Sequence, residues 1–101
     1  MTLQSPARAE TQTASGAAMG VKVNSVAHAL AILRRLATSD HPEGVNAIAR
    51  KVGISPSSCF NILKTLAAED FARFDVVDKT YTLGAGAIDL AVAGVRLSTS
   101  V

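Results

Sequence analysis

The chain has 101 residues, room for one small domain with tails, since single domains typically run to about 100–150 residues. Its hydrophobic content of 49% leans on alanine, which buries little area, and its formal charge of +2 is modest, so stability rests on tight helix packing or on a partner chain. One cysteine excludes an internal disulfide framework, no secretory signal is visible, and no apolar run approaches the roughly 20 residues of a membrane span, which together point to a reducing cytoplasm.

Residues 1–20 are rich in Ala, Thr, Ser, Gln and Gly and repeat at neither a helical nor a strand period. They read as a disordered tail, with Arg8 the one side chain able to reach a minor groove. Asn24 or Ser25 then caps a first helix that runs to about Thr38. Val26, Ala29, Leu30, Ile32, Leu33, Leu36 and Ala37 make its buried face, leaving His28, Ala31, Arg34, Arg35 and Thr38 outside. Arg34 or Arg35 is placed either near a phosphate or simply in solvent. Ser39 to Val45, with Asp40, Pro42 and Gly44, is a loop, and Asn46 suits the N-cap of a second helix whose N-terminal amides make an anion site.

The second helix carries Ile48, Ala49 and Val52 at helical spacing and stops at Gly53, a residue that takes the left-handed conformation at little steric cost. Ile54 follows as a plug. Ser55 and Pro56 restart a helix, with serine as N-cap and proline in the first turn, where its missing N–H costs nothing. The third helix, 55–68, buries Cys59, Ile62, Leu63 and Leu66. Gly53, Cys59 and Ile62 fall four, ten and thirteen residues after small Ala49, the offsets a bihelical corner needs. This is the pattern of a helix-turn-helix, whose second helix enters the major groove of DNA.

On that reading the residues left outside, Ser57, Ser58, Asn61, Lys64 and Thr65, face the DNA. Most are short donor–acceptor groups that lie close to base edges without the entropy cost of a long side chain. Asn61 suits adenine, and Lys64 a phosphate or a guanine. Asn46 and Arg50 are placed at the DNA backbone. Phe60, at the edge of the stripe, is expected to pack against the first helix, with a thymine methyl as the alternative. Cys59 on the buried stripe reads as a small core residue, against the alternative of a redox switch. Asp70 stands where a glycine cap is expected and marks a mildly strained turn.

Phe71 to Phe74 and Thr80 to Leu83 read as two short strands joined through Val76, Val77, Asp78 and Lys79. Tyr81 and Leu83 share one face, Thr80 and Thr82 the other. Three helices and a hairpin make a winged helix in which Arg73 and Lys79 flank the groove as backbone contacts, while Asp75 and Asp78 weaken the wing's grip. Lys22 to Lys64 holds six bases against two acids, whereas Thr65 to Gly84 holds two bases against four acids, so the helical half is the one that suits a polyanion. Gly84 to Leu97 reads as a further helix. Its face of Ile88, Ala91, Val92 and Val95 marks a dimer contact, against the alternative of docking back on the first helix.

From about Asn24 to Leu90 the chain resembles the N-terminal DNA-binding domain of IclR-type bacterial transcription regulators. The matching stretches are Ser25-Val26-Ala27-His28-Ala29-Leu30, Ile48-Ala49-Arg50-Lys51-Val52-Gly53-Ile54, Ile62-Leu63-Lys64-Thr65-Leu66 and Tyr81-Thr82-Leu83-Gly84. The resemblance implies a mostly α, winged helix-turn-helix fold with a small β-hairpin, binding a near-palindromic operator as a homodimer, followed by a linker helix. The chain thus divides into a disordered tail over 1–20, a winged helix-turn-helix DNA-binding domain over 21–84 and a linker or dimerisation helix over 85–101. The chain departs from the family pattern at Pro56 and Ser57, where a basic residue is usual, and at Asn61, where arginine is common. It also ends before the family's effector-binding domain begins, so a small-molecule effector is expected only if such a domain follows.

Two other classes compete. An enzyme finds no metal-ligand spacing and no nucleophile–base pair, so no cofactor or metal is expected. Gly84-Ala85-Gly86 follows a strand and opens a helix as a dinucleotide fingerprint does, but the third glycine and the parallel-sheet unit are missing. The second rival is a winged helix used for protein interaction or dimerisation without specific DNA binding, which the acidic wing favours.

Overall fold

A computed structural model describes residues 20–99 of the chain. The expected loose arm and its Arg8 lie outside the described residues. Six elements follow in order: α1 (Asn24–Thr38), α2 (Val45–Val52), α3 (Pro56–Ala68), β1 (Ala72–Asp75), β2 (Thr80–Leu83) and α4 (Ala85–Thr99). The strands pair antiparallel, Ala72 opposite Leu83 and Phe74 opposite Tyr81. The first three helices and this hairpin are the winged helix-turn-helix expected from the pattern, with α4 added after the wing.

Both ends of the helical corner close by backbone geometry. Gly53 adopts φ 86, and the N–H groups of Gly53 and Ile54 both donate to the Ala49 carbonyl at 2.8 and 3.0 Å. That arrangement satisfies the Ala49 carbonyl twice over while turning the chain sharply. α3 ends the same way with a residue less suited to it. Asp70 takes φ 65, its N–H donates to Ala67 and the Phe71 N–H donates to Leu66. The strain expected at Asp70 is therefore present, at a cost of about 1–2 kcal/mol for a side chain in the left-handed region.

The core lies where the three helices meet the hairpin. Ile32 and Leu36 of α1, Ile48 and Ala49 of α2, Cys59 and Leu63 of α3, and Ala72 and Tyr81 of the strands are buried. Val45, Val52, Ile54, Ile62, Leu66 and Leu83 pack around them. Only one side of α1 is covered, so Val26, Leu30 and Ala37, expected inside, are exposed. The first strand begins at Ala72, one residue later than the pattern suggests, because Phe71 is spent on closing α3.

Two helix starts differ from expectation. Val23 occupies the N-cap position of α1 and Gly44 that of α2, neither with a side-chain cap bond. Asn24, Ser25 and Asn46 all fall inside the first turns, and Asn46 is exposed there. The cause at α2 is long-range. The Tyr81 N–H donates to the Glu43 carbonyl at 2.8 Å, an isolated bridge that draws the loop alongside β2 and starts the helix at once after Gly44.

Glu43 also corrects the placement of Arg35. Its carboxylate is buried and accepts two bonds from Arg35, Nε to Oε1 at 2.8 Å and Nη2 to Oε2 at 2.7 Å. Lys51 Nζ and His41 Nε2 stand 4.0 and 3.9 Å from Oε2. Arg35 is thus occupied within the domain and faces neither solvent nor phosphate freely. A bidentate pair is among the stronger polar contacts, and this one ties the end of α1 to the loop that enters α2.

The wing is shaped by another carboxylate. Asp75 Oδ1 accepts from the Val77 and Asp78 N–H groups at 2.9 and 3.0 Å, and Lys79 takes φ 59 as its N–H donates to the Asp75 carbonyl. The Phe74 and Tyr81 rings meet in a tilted pair, centroids 4.8 Å apart and planes at 43°. After β2, the Gly84 N–H donates to Phe71 and the Gly86 N–H to Asp70, at 2.9 and 2.7 Å. A Cβ at Gly84 would stand 2.4 Å from the Asp70 carbonyl oxygen, and one at Gly86 2.7 Å from it. These glycines serve backbone contact with the α3–β1 turn, which removes the phosphate-binding reading of the Gly84-Ala85-Gly86 stretch. Among the described residues no helix is long and apolar enough to cross a membrane.

The Arg35 bond holds the Glu43 carboxyl below the ordinary glutamate value of 4.5, outweighing burial, which acts the other way. A lowered folded-state value gives stability that is complete above the unfolded value and fades as pH falls through the folded one. Wild-type stability in urea should therefore decline below about pH 5, and Glu43→Gln should cost about 1.5–3 kcal/mol at pH 7 with a flatter acid limb. Parallel acid limbs for the two proteins would show that the pair contributes nothing.

Candidate nucleic-acid interface

α3 presents a face set by its own buried side. Ser55 caps it, its Oγ accepting the Ser58 N–H at 3.2 Å, and Pro56 takes the first helical position. Cys59 and Leu63 are sealed in the core, with Ile62 and Leu66 half-buried beside them. With that stripe inward, Ser57, Ser58, Asn61, Lys64 and Thr65 are all exposed. Residues 57, 61, 64 and 68 follow one another at steps of four, three and four, so they share one helical face.

Local bonding on this face leaves the chemistry needed for reading bases available. The Thr65 hydroxyl donates to the Asn61 carbonyl at 3.1 Å, which holds its rotamer and leaves its oxygen free to accept. Ser55 and Ser57 hydroxyls stand 3.4 Å apart. Neither the Asn61 amide nor the Lys64 ammonium has a hydrogen-bond or ion-pair partner among the described residues. Phe60, expected against α1, is 47% exposed at the edge of the same face. It falls on the flank of the helix that the core does not reach.

The flanking residues divide. Asn46 and Arg50 are exposed one turn apart on α2, and no acid lies in that helix's first turn. Lys51 leans toward the buried Glu43. Arg73 lies opposite Thr82 in the hairpin, Lys79 sits in its turn, and both are exposed. Asp75 spends one carboxylate oxygen on the turn, so Asp78 is the wing's freer negative charge. At the wing tip Val76 and Val77 are 71% and 83% exposed. On α4, Ile88, Ala91, Val92 and Val95 are likewise exposed, while the helix packs against β1.

A cleft of about 230 Å³ lies elsewhere, between the end of α1, the following loop and β2, lined by Leu36, Ser39, His41, Glu43, Tyr81 and their neighbours. Within it His41 Nδ1 lies 2.7 Å from Asp40 Oδ1 and holds that carboxyl below the usual range. Among the described residues no group of three His, Cys, Asp or Glu side chains is placed to hold a metal ion. Glu43 is the residue that sequence reasoning missed. Its only local signal is an acid between Pro42 and Gly44, eight residues after Arg35.

A family model for the IclR helix-turn-helix domain matches residues 25–76. Three solved structures are similar. An IclR transcriptional regulator from Alicyclobacillus acidocaldarius aligns with TM-score 0.73 and 31% identity, over 76% of this chain and 31% of that one. An IclR family transcriptional regulator from Brucella abortus aligns with TM-score 0.66 and 26% identity, over 71% and 28% of the two chains. HmgR from Pseudomonas aeruginosa aligns with TM-score 0.66 and 28% identity, over 73% and 32%. The chain spans about a third of the length of these proteins. Comparison with curated protein sequences finds no match.

Cys59 is fully buried, and burial pushes its thiol above the ordinary value, so thiolate is scarce and inaccessible. A thiol reagent should react with the folded chain on the order of a hundredfold more slowly than in denaturant, through opening of the fold. Equal rates in both conditions would reinstate a reactive, switch-like cysteine.

Proposed function

Because the chain belongs to the IclR helix-turn-helix family, we propose that it binds double-stranded DNA sequence-specifically and regulates transcription, with α3 in the major groove. The observation that carries this reading is the α3 face itself. Five side chains suited to base edges and phosphates are exposed on a helix whose opposite side is locked in the core. Groove entry demands such a rigid ridge with uncommitted polar groups. The family is one of regulator domains and not of enzymes.

In this reading Asn61 takes adenine through its amide, Lys64 takes guanine or a phosphate, and Ser57, Ser58 and Thr65 bond at close range. Asn46, Arg50, Arg73 and Lys79 hold the DNA backbone from either side and set the register. Residues 21–84 form the DNA-binding unit and 85–101 the linker. The protein works in the cytoplasm as a homodimer on a near-palindromic operator, the α4 stripe of Ile88, Ala91, Val92 and Val95 meeting its copy. A small-molecule effector is expected only if an effector-binding domain follows this stretch. Repression follows from occupying a promoter.

A second reading makes the winged helix a protein-interaction module, and the apolar wing tip beside Asp75 and Asp78 favours it. Salt separates the two, because each neutralised phosphate contributes about 0.9 to the slope of log affinity against log salt. DNA binding with a slope of about −3 or steeper is expected, and a flat response on every duplex tried would favour the protein module. Lys64→Ala should weaken matched and scrambled sites alike and reduce the slope by about 1, whereas Asn61→Ala should cost about 1–3 kcal/mol on the matched site alone. Equal losses on both DNAs for both variants would remove these roles. The dimer is checked by sizing: Val92→Asp should shift a concentration-dependent dimer to monomer, and a wild-type chain that stays monomeric at all concentrations would exclude it.

A further inference from the structure

Phe60 is the one large apolar side chain of α3 that the core does not take. It is 47% exposed, three residues after Ser57 and four before Lys64, next to Asn61, and all three of these are exposed. We propose that Phe60 is a specificity-determining residue that reads a thymine, its ring seated on the 5-methyl group in the major groove. The proposal rests on the reading of α3 as the groove-entering helix and adds a base contact to it.

Side chains on a helix lean toward its N-terminus, which directs the half-exposed ring of Phe60 toward the turn of Pro56 and Ser57, two short side chains. That first part of the second helix is the region of a helix-turn-helix that meets base edges. A ring held there meets a groove floor lined by donors and acceptors, on which the 5-methyl of thymine, beside that base's O4 acceptor, is the most prominent apolar group. Laid on N7, O6 or N4, the ring would strip water from a polar group and return no hydrogen bond. Laid on the methyl, it buries apolar surface on both partners. A phenylalanine on a helix also has few rotamers to lose on binding. Beside it, Asn61 suits adenine, so the two neighbours together favour an A·T-containing half-site.

The test needs no variant at its first stage. The full chain is used to select a duplex from random DNA, and thymidines of that duplex are replaced one at a time by deoxyuridine, which removes the methyl and nothing else. Loss of one buried methyl predicts about 3- to 5-fold weaker binding at one position per half-site. Phe60→Ala, a change at a half-exposed site, should keep the helical circular dichroism and bind the thymidine and deoxyuridine duplexes equally. A wild-type protein indifferent to every replacement overturns the proposal while leaving specific binding by the rest of α3 intact. A Phe60→Ala protein that still prefers thymidine also overturns it, because another residue then reads the methyl. Failure to enrich any sequence removes the parent reading and this one together, and that is known before any deoxyuridine duplex is made.

Discussion

The left-handed turn at Gly53 is the constraint on which the rest depends. With φ at 86, the chain leaves α2 and enters α3 after only three residues, and the Gly53 and Ile54 amides both fold back on Ala49. Any other residue there would raise the energy of the corner by about 1 kcal/mol or more, or open it. The short connection allows one relative placement of the two helices in which Ala49 and Cys59 both reach the core. Once that is set, the rotation of α3 about its axis is no longer free. Burial of Cys59 and Leu63 turns Ser57, Asn61 and Lys64 outward, so the exposed polar face of α3 is a by-product of core packing.

The hairpin is joined to this corner by contacts distant in sequence. Tyr81 enters the core with its side chain and holds Glu43 with its backbone, and Glu43 in turn grips Arg35. One loop residue therefore connects α1, the entry to α2 and the wing. A buried carboxylate is tolerable because its bidentate partner and nearby Lys51 compensate for lost hydration. The wing itself is stiffened by Asp75, whose charge is partly consumed in holding the turn. Counting acids along the chain overstates how repulsive this wing is toward a polyanion, since a carboxylate bonded to backbone amides presents less of its charge outward.

The two glycines that open α4 show how the same residue type supports different arguments. Beside a strand end and a helix start, Gly84 and Gly86 have the look of a phosphate cradle. In the fold they let one backbone press against another at Asp70 and Phe71. The contact fixes the direction in which α4 leaves the domain, with Ile88, Val92 and Val95 uncovered. The left-handed Asp70 is part of the same joint, because its carbonyl receives the Gly86 amide. The strain at that residue and the approach of α4 are thus one feature of the structure.

Much of this was legible in the amino-acid order alone. Apolar spacing located all four helices, Gly53 and Ser55-Pro56 marked the corner, and alternation around Tyr81 marked the second strand, because each of these signals acts within a turn or two of backbone. The Ser57 to Thr65 face followed from the same periodicity. What the sequence by itself could not decide depended on partners far along the chain. Whether Phe60 or Val26 is covered depends on how wide a neighbouring element is, and periodicity measures direction but not coverage. Asn46 lost the cap to Gly44 because β2 draws Glu43 into a bridge, and Arg35 left the solvent because that glutamate was waiting beside it. Local rules place side chains on the faces of a helix; only the packed tertiary structure determines which faces find something to bury against.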